Sequence, residues 1–353
     1  MDFRLDDAQQ AIMSLAAEVL AGADTPERIW KDLGQAGLLS LAVPVRLGGS
    51  GLGVLETALV LTEVGRRAAA VPALSALALG VLPVARWGSQ RQQDELLTDG
   101  RVLSAAIAEP GDPLPASPRT TTAPDGTITG VKTGVTEAQR ILVTAGAGLR
   151  TRQKSGVYDR STAVMIVDTS APGVSLDNGV LRLDNVPAEP LGDHRCHADL
   201  HRYAIAGACA LADGALAGAL SMTAEHVRTR HQFGRPLATF QAVAQQIADV
   251  YIASRTLHLA AVSAAWRLGT DRDADDDLAV AAQWLTAEAL PAVRTCHHLH
   301  GGLGLVADYP LHRHTALLRD LVRFLGGSEH CLEALGDRVA GGKNEERRAS
   351  RPD

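Results

Sequence analysis

From Leu5 onward the apolar positions Ile12, Leu15, Ala16, Val19 and Leu20 recur at helical spacing, and Asp6 stands where an N-cap carboxylate closes a first turn. Gly48, Gly49, Gly51 and Gly53 break the pattern as a loop, after which LETALVLTEVGRR and an Ala/Leu-rich stretch to about Leu97 resume it. Residues 1–100 therefore predict an all-helical domain. The regime changes near Arg101. Pro110, Pro113, Pro115, Pro118 and Pro124 exclude a helix interior. Short apolar runs follow (TITGV, RILVTA, TAVMIVD, GVSL, VLRLDNV), and Asn178-Gly179 between the last two is a hairpin signal. These predict a β-domain of antiparallel sheets over residues 101–192, with a polar loop at 145–161. From Asp193 helix returns. Phe240, Val243, Ile247, Val250, Tyr251 and Leu257 fall near one face, as in the long antiparallel helices of a four-helix bundle over residues 193–340. The polar tail, residues 341–353, reads as disordered. The fold class is α+β, in the order helical, β, helical bundle.

Composition narrows the picture. Of 353 residues, 46% are hydrophobic but only 3% aromatic, so the core is built of Ala, Leu and Val, which suits close helix–helix contact. A net charge of −6 argues against a nucleic-acid surface. The apolar run 203–222 carries Asp213 in its middle and reads as a buried bundle helix, so no membrane span is expected. The segment MDFRLDDAQQ has neither a basic nor an apolar leader pattern, and a cytoplasmic location is expected. Cys196, Cys209, Cys296 and Cys331 form no CxxC pair, which disfavours a disulfide framework. His297, His298 and His300 lack carboxylate partners at ligand spacing, so no metal site is expected.

Two segments carry chemistry. RTRHQFGRPLATFQ, residues 228–241, and HHLHGGLGLVADYPLHRHTALLRD, residues 297–320, resemble the R-x-x-F-G-x-P-x-x-x-F-Q and G-G-x-G…Y-P…R-D signatures of the acyl-CoA dehydrogenase family. WKDLGQAGLLSLAVPVRLGGSGLG, AEPG, GVKTGV, VDTSAPGVSL and VPAEPLGD fall in the family's order, so the resemblance spans nearly the whole chain. The length, HHLHGG and the LGG ending look most like the smaller subunit of actinobacterial sterol-side-chain acyl-CoA dehydrogenases, which implies an α2β2 heterotetramer with a larger subunit. The implied reaction is α,β-desaturation of an acyl-CoA thioester. A carboxylate removes the α-proton, the β-hydrogen leaves as hydride to FAD, and an electron-transfer flavoprotein or equivalent is the acceptor.

The resemblance implies that Arg230, Gln232 and Phe233, with Gln241 of the closing F-Q, reach an FAD held by a neighbouring subunit. A guanidinium matches a pyrophosphate by paired hydrogen bonds. His298, where the family has Gln, and Gly301 and Gly302 of HGGLG complete that contact. The flavin end departs from the family. Ala108-Glu109-Pro110-Gly111 begins its T-E-P stretch, but DPLPAS replaces the rest. In Lys132-Thr133-Gly134-Val135-Thr136, Gly134 takes the place of the stacking Trp, and Thr136 alone matches as a flavin contact. Gly326 occupies the usual position of the catalytic Glu, and Ala204 and Ile205 occupy the alternative one. Glu329 and Asp213 read as solvated or structural carboxylates, so no catalytic residue is assigned.

Three readings remain open on sequence alone. The chain is a non-catalytic subunit that completes a partner's FAD site, a self-sufficient enzyme with an unrecognised base, or a flavin-free acyl-CoA-binding scaffold. For an obligate subunit, the Ala-rich helices around Ala204–Ala217 and Phe240–Trp266 are expected to present apolar surface.

Overall fold

A computed structural model describes residues 4–23, 25–98, 103–147 and 162–349. Helix α1 (Asp7–Ala21) starts where the sequence predicts, with the Asp6 carboxylate accepting from the Gln9 backbone N–H and Gln9 reciprocating as a capping box. After α2 (Pro26–Gln35), the glycine loop leads into α3 (Val54–Arg66). Residues Leu74–Val81 are helical but wound as a π-helix, ahead of α4 (Leu82–Trp87) and α5 (Gln90–Leu97). The sequence does not announce this winding. Pro83 has no N–H to give to Leu79, and the wider ladder, with Leu82 N–H reaching Leu77, ends just before it.

The β-region is one mixed sheet that closes on itself. Strands β2 (Thr121–Thr122), β3 (Thr127–Lys132), β4 (Arg140–Ala147), β5 (Thr162–Asp168) and β7 (Val180–Pro190) pair in the ring β4-β2-β3-β7-β5-β4. β1 (Leu103–Ala106) adds to β4, and β6 (Val174–Asp177) adds to β7. Most pairs are antiparallel as expected, but β1–β4 and β2–β4 are parallel. Closure gives each ring strand a partner on both sides, with β1 and β6 left as the outer strands, and surrounds a core of Ile128, Ile141, Val143, Met165, Val167, Leu181, Leu183 and Val186. The Asn178-Gly179 hairpin joins β6 to β7 with φ of 49° and 75°, the left-handed pair a tight hairpin turn requires. The polar loop expected at 145–161 begins later, because β4 extends through Ala147; residues 148–161 lie outside the described residues.

The last third is helical: α6 (Arg195–Thr229), a short hairpin of β8 (His231–Gln232) and β9 (Arg235–Pro236), α7 (Gln241–Gly269), α8 (Asp275–His300), α9 (Leu311–Phe324) and α10 (Gly327–Ala349). Residues 341–349, expected as disordered tail, continue α10. Glu, Arg and Ala in KNEERRA are strong helix formers, which the polarity of the segment obscured. Among the described residues α6 is the one helix long and apolar enough to cross a membrane, and 72% of its most apolar window is buried within the chain. The expected apolar surface is therefore not on α6. On α7, Tyr251, Ile252 and Leu259 are exposed while Val250, Ala253 and Leu257 are buried.

By packing, the chain forms two units. One comprises Met1–Ile29, Ala58–Ala70 and Ala208–Asp353; the other comprises Trp30–Thr57 and Val71–Gly207. In the first, α3 meets α6 backbone to backbone. A Cβ on Gly214 would lie 1.8 Å from the Thr62 carbonyl oxygen, one on Gly218 would lie 2.2 Å from that of Arg66, and one on Gly65 would lie 2.0 Å from that of Leu211. Gly214→Ala is expected to cost about 1–3 kcal/mol through overpacking, read as a lower urea midpoint at unchanged slope. Gly336→Ala, on the exposed side of α10 with nothing within 4 Å of the new methyl, is expected to add about 0.5–1 kcal/mol of stability, read as a higher urea midpoint.

Candidate cofactor-facing site

The C-terminal end of α6 runs into the β8–β9 hairpin, whose turn is Phe233-Gly234 with φ of 51° and 76°. A phenylalanine in the left-handed region costs about 1–2 kcal/mol. Phe233 is nevertheless 91% exposed. The hairpin is braced from beneath: Phe240 meets Phe233 edge-on at 6.1 Å, the Arg235 guanidinium lies 4.1 Å over the Phe240 ring, and Leu237 N–H bonds the Arg230 carbonyl. Arg230 and Gln232 are exposed, as is Gln241, the first residue of α7. The Arg230 charge is near enough to His226 to oppose its protonation. The N-cap of α7, Phe240, makes no side-chain hydrogen bond to the first turn of the helix.

The end of α8 supplies the second part. His298 is exposed, and the chain leaves the helix at Gly301 with φ 56° and ψ −135°, a conformation reserved for glycine. Gly302 is also exposed, and neither glycine would bring a Cβ within 4 Å of the chain. The two other histidines are structural. His297 Nδ1–H donates to the Gly304 carbonyl at 3.0 Å, and the Thr315 hydroxyl donates to its Nε2 at 2.7 Å. His300 Nδ1–H donates to the Cys296 carbonyl at 2.8 Å, and the Tyr309 hydroxyl donates to its Nε2 at 2.9 Å. The His300 ring stacks on His226 of α6, with centroids 4.5 Å apart and planes inclined by 17°. This stack brings the Arg230 hairpin and the Gly301 turn together. Among the described residues no group of three His, Cys, Asp or Glu could hold a metal ion.

The position of the base carries no acid. Gly326 is exposed with φ 88° and is followed by Gly327 at φ 85°. Ala204 is fully buried and Ile205 is half-buried. Glu329 is exposed in the first turn of α10. Asp213 is buried, and its carboxylate accepts from His258 Nδ1 at 2.9 Å, a contact that satisfies a polar group within the bundle.

Thr136 lies in the other unit, exposed beside the β6–β7 hairpin, where Val135 N–H donates to the Gly179 carbonyl. Gly134 has φ 67°, a left-handed conformation that favours glycine, and offers no ring. The Lys132 side chain, fully buried, donates to Glu109 Oε1 at 2.9 Å, Thr144 Oγ1 at 2.8 Å and the Ile107 carbonyl at 3.2 Å. The Glu109 carboxylate also accepts from the backbone N–H of Thr120 and Arg119 and from the Thr120 hydroxyl. Burial raises the affinity of Glu109 for a proton, but the Thr120 N–H, the Lys132 ammonium and the Arg119 N–H together outweigh it and hold the carboxyl at about 2. Burial pushes Lys132 down to about 8 against the pull of Glu109. The AEPG acid is thus committed to the chain's own interior. Sequence reading passed over this pair, although the two-residue period from Ile128 puts Lys132 on the inward face of β3. It also missed His226, His300 and Tyr309, whose contacts join distant segments.

Comparison with known proteins places this geometry. Residues 6–100 match the acyl-CoA dehydrogenase N-terminal domain and residues 199–340 match the C-terminal domain. The chain is 42% identical to acyl-CoA dehydrogenase FadE28 of Mycobacterium tuberculosis, over 96% of this chain and 99% of that protein. It belongs to the acyl-CoA dehydrogenase family. FAD is the cofactor of this family. Two solved structures resemble the whole chain at a TM-score of 0.84. One is a variant of the Tcur3481-Tcur3483 steroid ACAD, at 30% identity over 96% of this chain and 99% of that one. The other is the ChsE4-ChsE5 complex from Mycobacterium tuberculosis, at 31% identity over 100% of both chains. The residues at the α6 and α8 ends fit FAD: an exposed guanidinium for a pyrophosphate, an exposed aromatic for a flat ring, and a glycine turn open to close approach.

Buried histidines give the fold an acid limit. Burial pushes His197 and His314 to about 4 and His201 to about 3, and His197 Nε2, His201 Nε2 and His314 Nδ1 have no hydrogen-bond partner among the described residues. The unfolded chain takes up these protons first, so the contribution to stability is complete above about pH 6.5 and is lost as pH falls toward 4. Each is expected to cost about 2 kcal/mol by pH 5, read from urea midpoints at pH 7 and pH 5. His197→Gln is expected to remove one of the three increments.

Proposed function

We propose that this chain is a non-catalytic subunit of a heteromeric acyl-CoA dehydrogenase. It lends Arg230, Gln232, Phe233, Gln241, His298, Gly301 and Gly302 to an FAD held mainly by a larger subunit in an α2β2 assembly. The observation that carries this reading is an asymmetry within one chain. The cofactor-facing residues at the ends of α6 and α8 are exposed, whereas the base position is Gly326 and the Glu109 acid is locked to Lys132. The Arg230 guanidinium binds the pyrophosphate, Phe233 covers a ring face, and the Gly301 turn admits close backbone contact. FAD, when bound, accepts the β-hydrogen of the acyl-CoA as hydride. Removal of the α-proton needs a carboxylate within hydrogen-bond reach, and the partner's acid supplies it. Exposed Tyr251, Ile252 and Leu259 on α7 suit burial against another subunit. Likeness to a steroid ACAD and to a complex of two named chains supports a sterol side-chain CoA thioester as substrate. An electron-transfer flavoprotein or equivalent takes the electrons, in the cytoplasm. Thr136 is at most a secondary flavin contact.

Co-expression with the larger acyl-CoA dehydrogenase subunit from the same source, followed by flavin counting, tests the proposal. A colourless lone chain and a yellow complex with one flavin per two chains are expected. A yellow lone chain that turns over acyl-CoA favours the self-sufficient enzyme, and absence of flavin throughout favours the scaffold. In the complex, Arg230→Ala is expected to weaken FAD binding by roughly 10–100-fold, as loss of a charged contact costs about 1.5–3 kcal/mol. Glu329→Gln is expected to leave dye-coupled turnover within about threefold of wild type. A fall of about 10²-fold or more with flavin retained would assign this chain its own base.

A further inference from the structure

The two cofactor-facing segments are separated by about seventy residues of sequence. An aromatic column links the helix ends from which they leave. His226 sits one turn before Arg230 on the last turn of α6, and its ring stacks at 4.5 Å on His300, the last residue of α8. His300 is buried and doubly fixed, by the Cys296 carbonyl on Nδ1 and the Tyr309 hydroxyl on Nε2. Tyr309 in turn precedes α9, which holds His297 through Thr315. A displacement of either ring therefore moves Arg230 relative to the Gly301 turn.

We infer that His226, His300 and Tyr309 are positioning residues that hold the Arg230 hairpin and the Gly301 turn in one register for FAD, and that the column works only with both imidazoles uncharged. The inference rests on the proposed FAD contact. Its electrostatic part follows from what surrounds the column: Arg230 from the hairpin, His297 from α8, and the two stacked rings themselves. Burial lowers the proton affinity of both rings; at His226 the Arg230 charge lowers it further, and at His300 the hydrogen bond to the Cys296 carbonyl opposes the shift without reversing it. A proton on each ring would set two cations face to face beside Arg230. A stacking column that binds nothing itself thus becomes an acid-sensitive control on cofactor retention.

The test measures FAD affinity by flavin fluorescence in the flavin-containing assembly of the full chain, at pH 7 and pH 5. Wild type is expected to lose affinity by about tenfold or more between the two. His226→Ala is expected to lose a similar factor already at pH 7. His226→Phe keeps the stack and leaves His300 as its one titratable ring, so two cations can no longer meet face to face; it should bind FAD within about threefold of wild type at pH 7 and lose part of the pH dependence. Tyr309→Phe, which deletes only the hydroxyl on His300, should fall between wild type and His226→Ala. Wild-type affinity in His226→Ala, or an undiminished pH response in His226→Phe, overturns the inference while Arg230→Ala still weakens FAD. If Arg230→Ala leaves FAD affinity unchanged, the proposed contact itself falls and the inference falls with it. Circular dichroism at both pH values separates these losses from unfolding.

Discussion

Backbone contact between α3 and α6 sets the rest of the helical unit. At Gly65, Gly214 and Gly218 no side chain fits between the two helices, so the line of α6 is fixed by main-chain packing. Along that line Asp213 meets His258 of α7, and His314 of α9 lies against Gly218, where a Cβ would come within 2.6 Å of its ring. The same line delivers His226 to His300. A helix free to roll by a few degrees would lose that stack first, since its two rings come from the far ends of separate helices.

The β-unit is held by a different logic. A closed five-strand ring leaves little tolerance for a polar interior, yet Lys132 and Glu109 are both buried within it. The pair is stable because nearly every lone pair and proton has a partner: Thr120, Thr144, Arg119 and the Ile107 carbonyl complete it. Breaking such a pair from one side leaves an uncompensated charge, which is far more costly than the net worth of the pair. The acid of the AEPG turn is thereby withdrawn from any chemistry with a ligand.

Function in this family divides between holding FAD and removing a proton. On the function proposed for this chain, the first capacity sits on exposed, braced turns, and the second has no side chain at Gly326 to act through. The strain at Phe233 is consistent with that division. A phenylalanine kept in the left-handed region and 91% exposed is maintained by neighbours such as Phe240 and Arg235, and gains nothing for the isolated chain.

Sequence by itself determined the order of helical, β and helical regions, the Asp6 cap, the Asn178-Gly179 hairpin, the family, and the outward segments around Arg230 and Gly301. These are local signals: apolar period, cap and turn chemistry, and motifs read over a few residues. It could not give the closure of the sheet with two parallel pairs, because register depends on partners tens of residues away. Nor could it give the π-winding at Leu74–Val81, which depends on how the ladder adjusts before Pro83, or the helical course of residues 341–349, where polarity masked propensity. Lys132 with Glu109, and His226 with His300 and Tyr309, were decided by tertiary structure alone. Each residue is unremarkable in its own window, and its role exists only where packing brings the partners within hydrogen-bond or stacking distance.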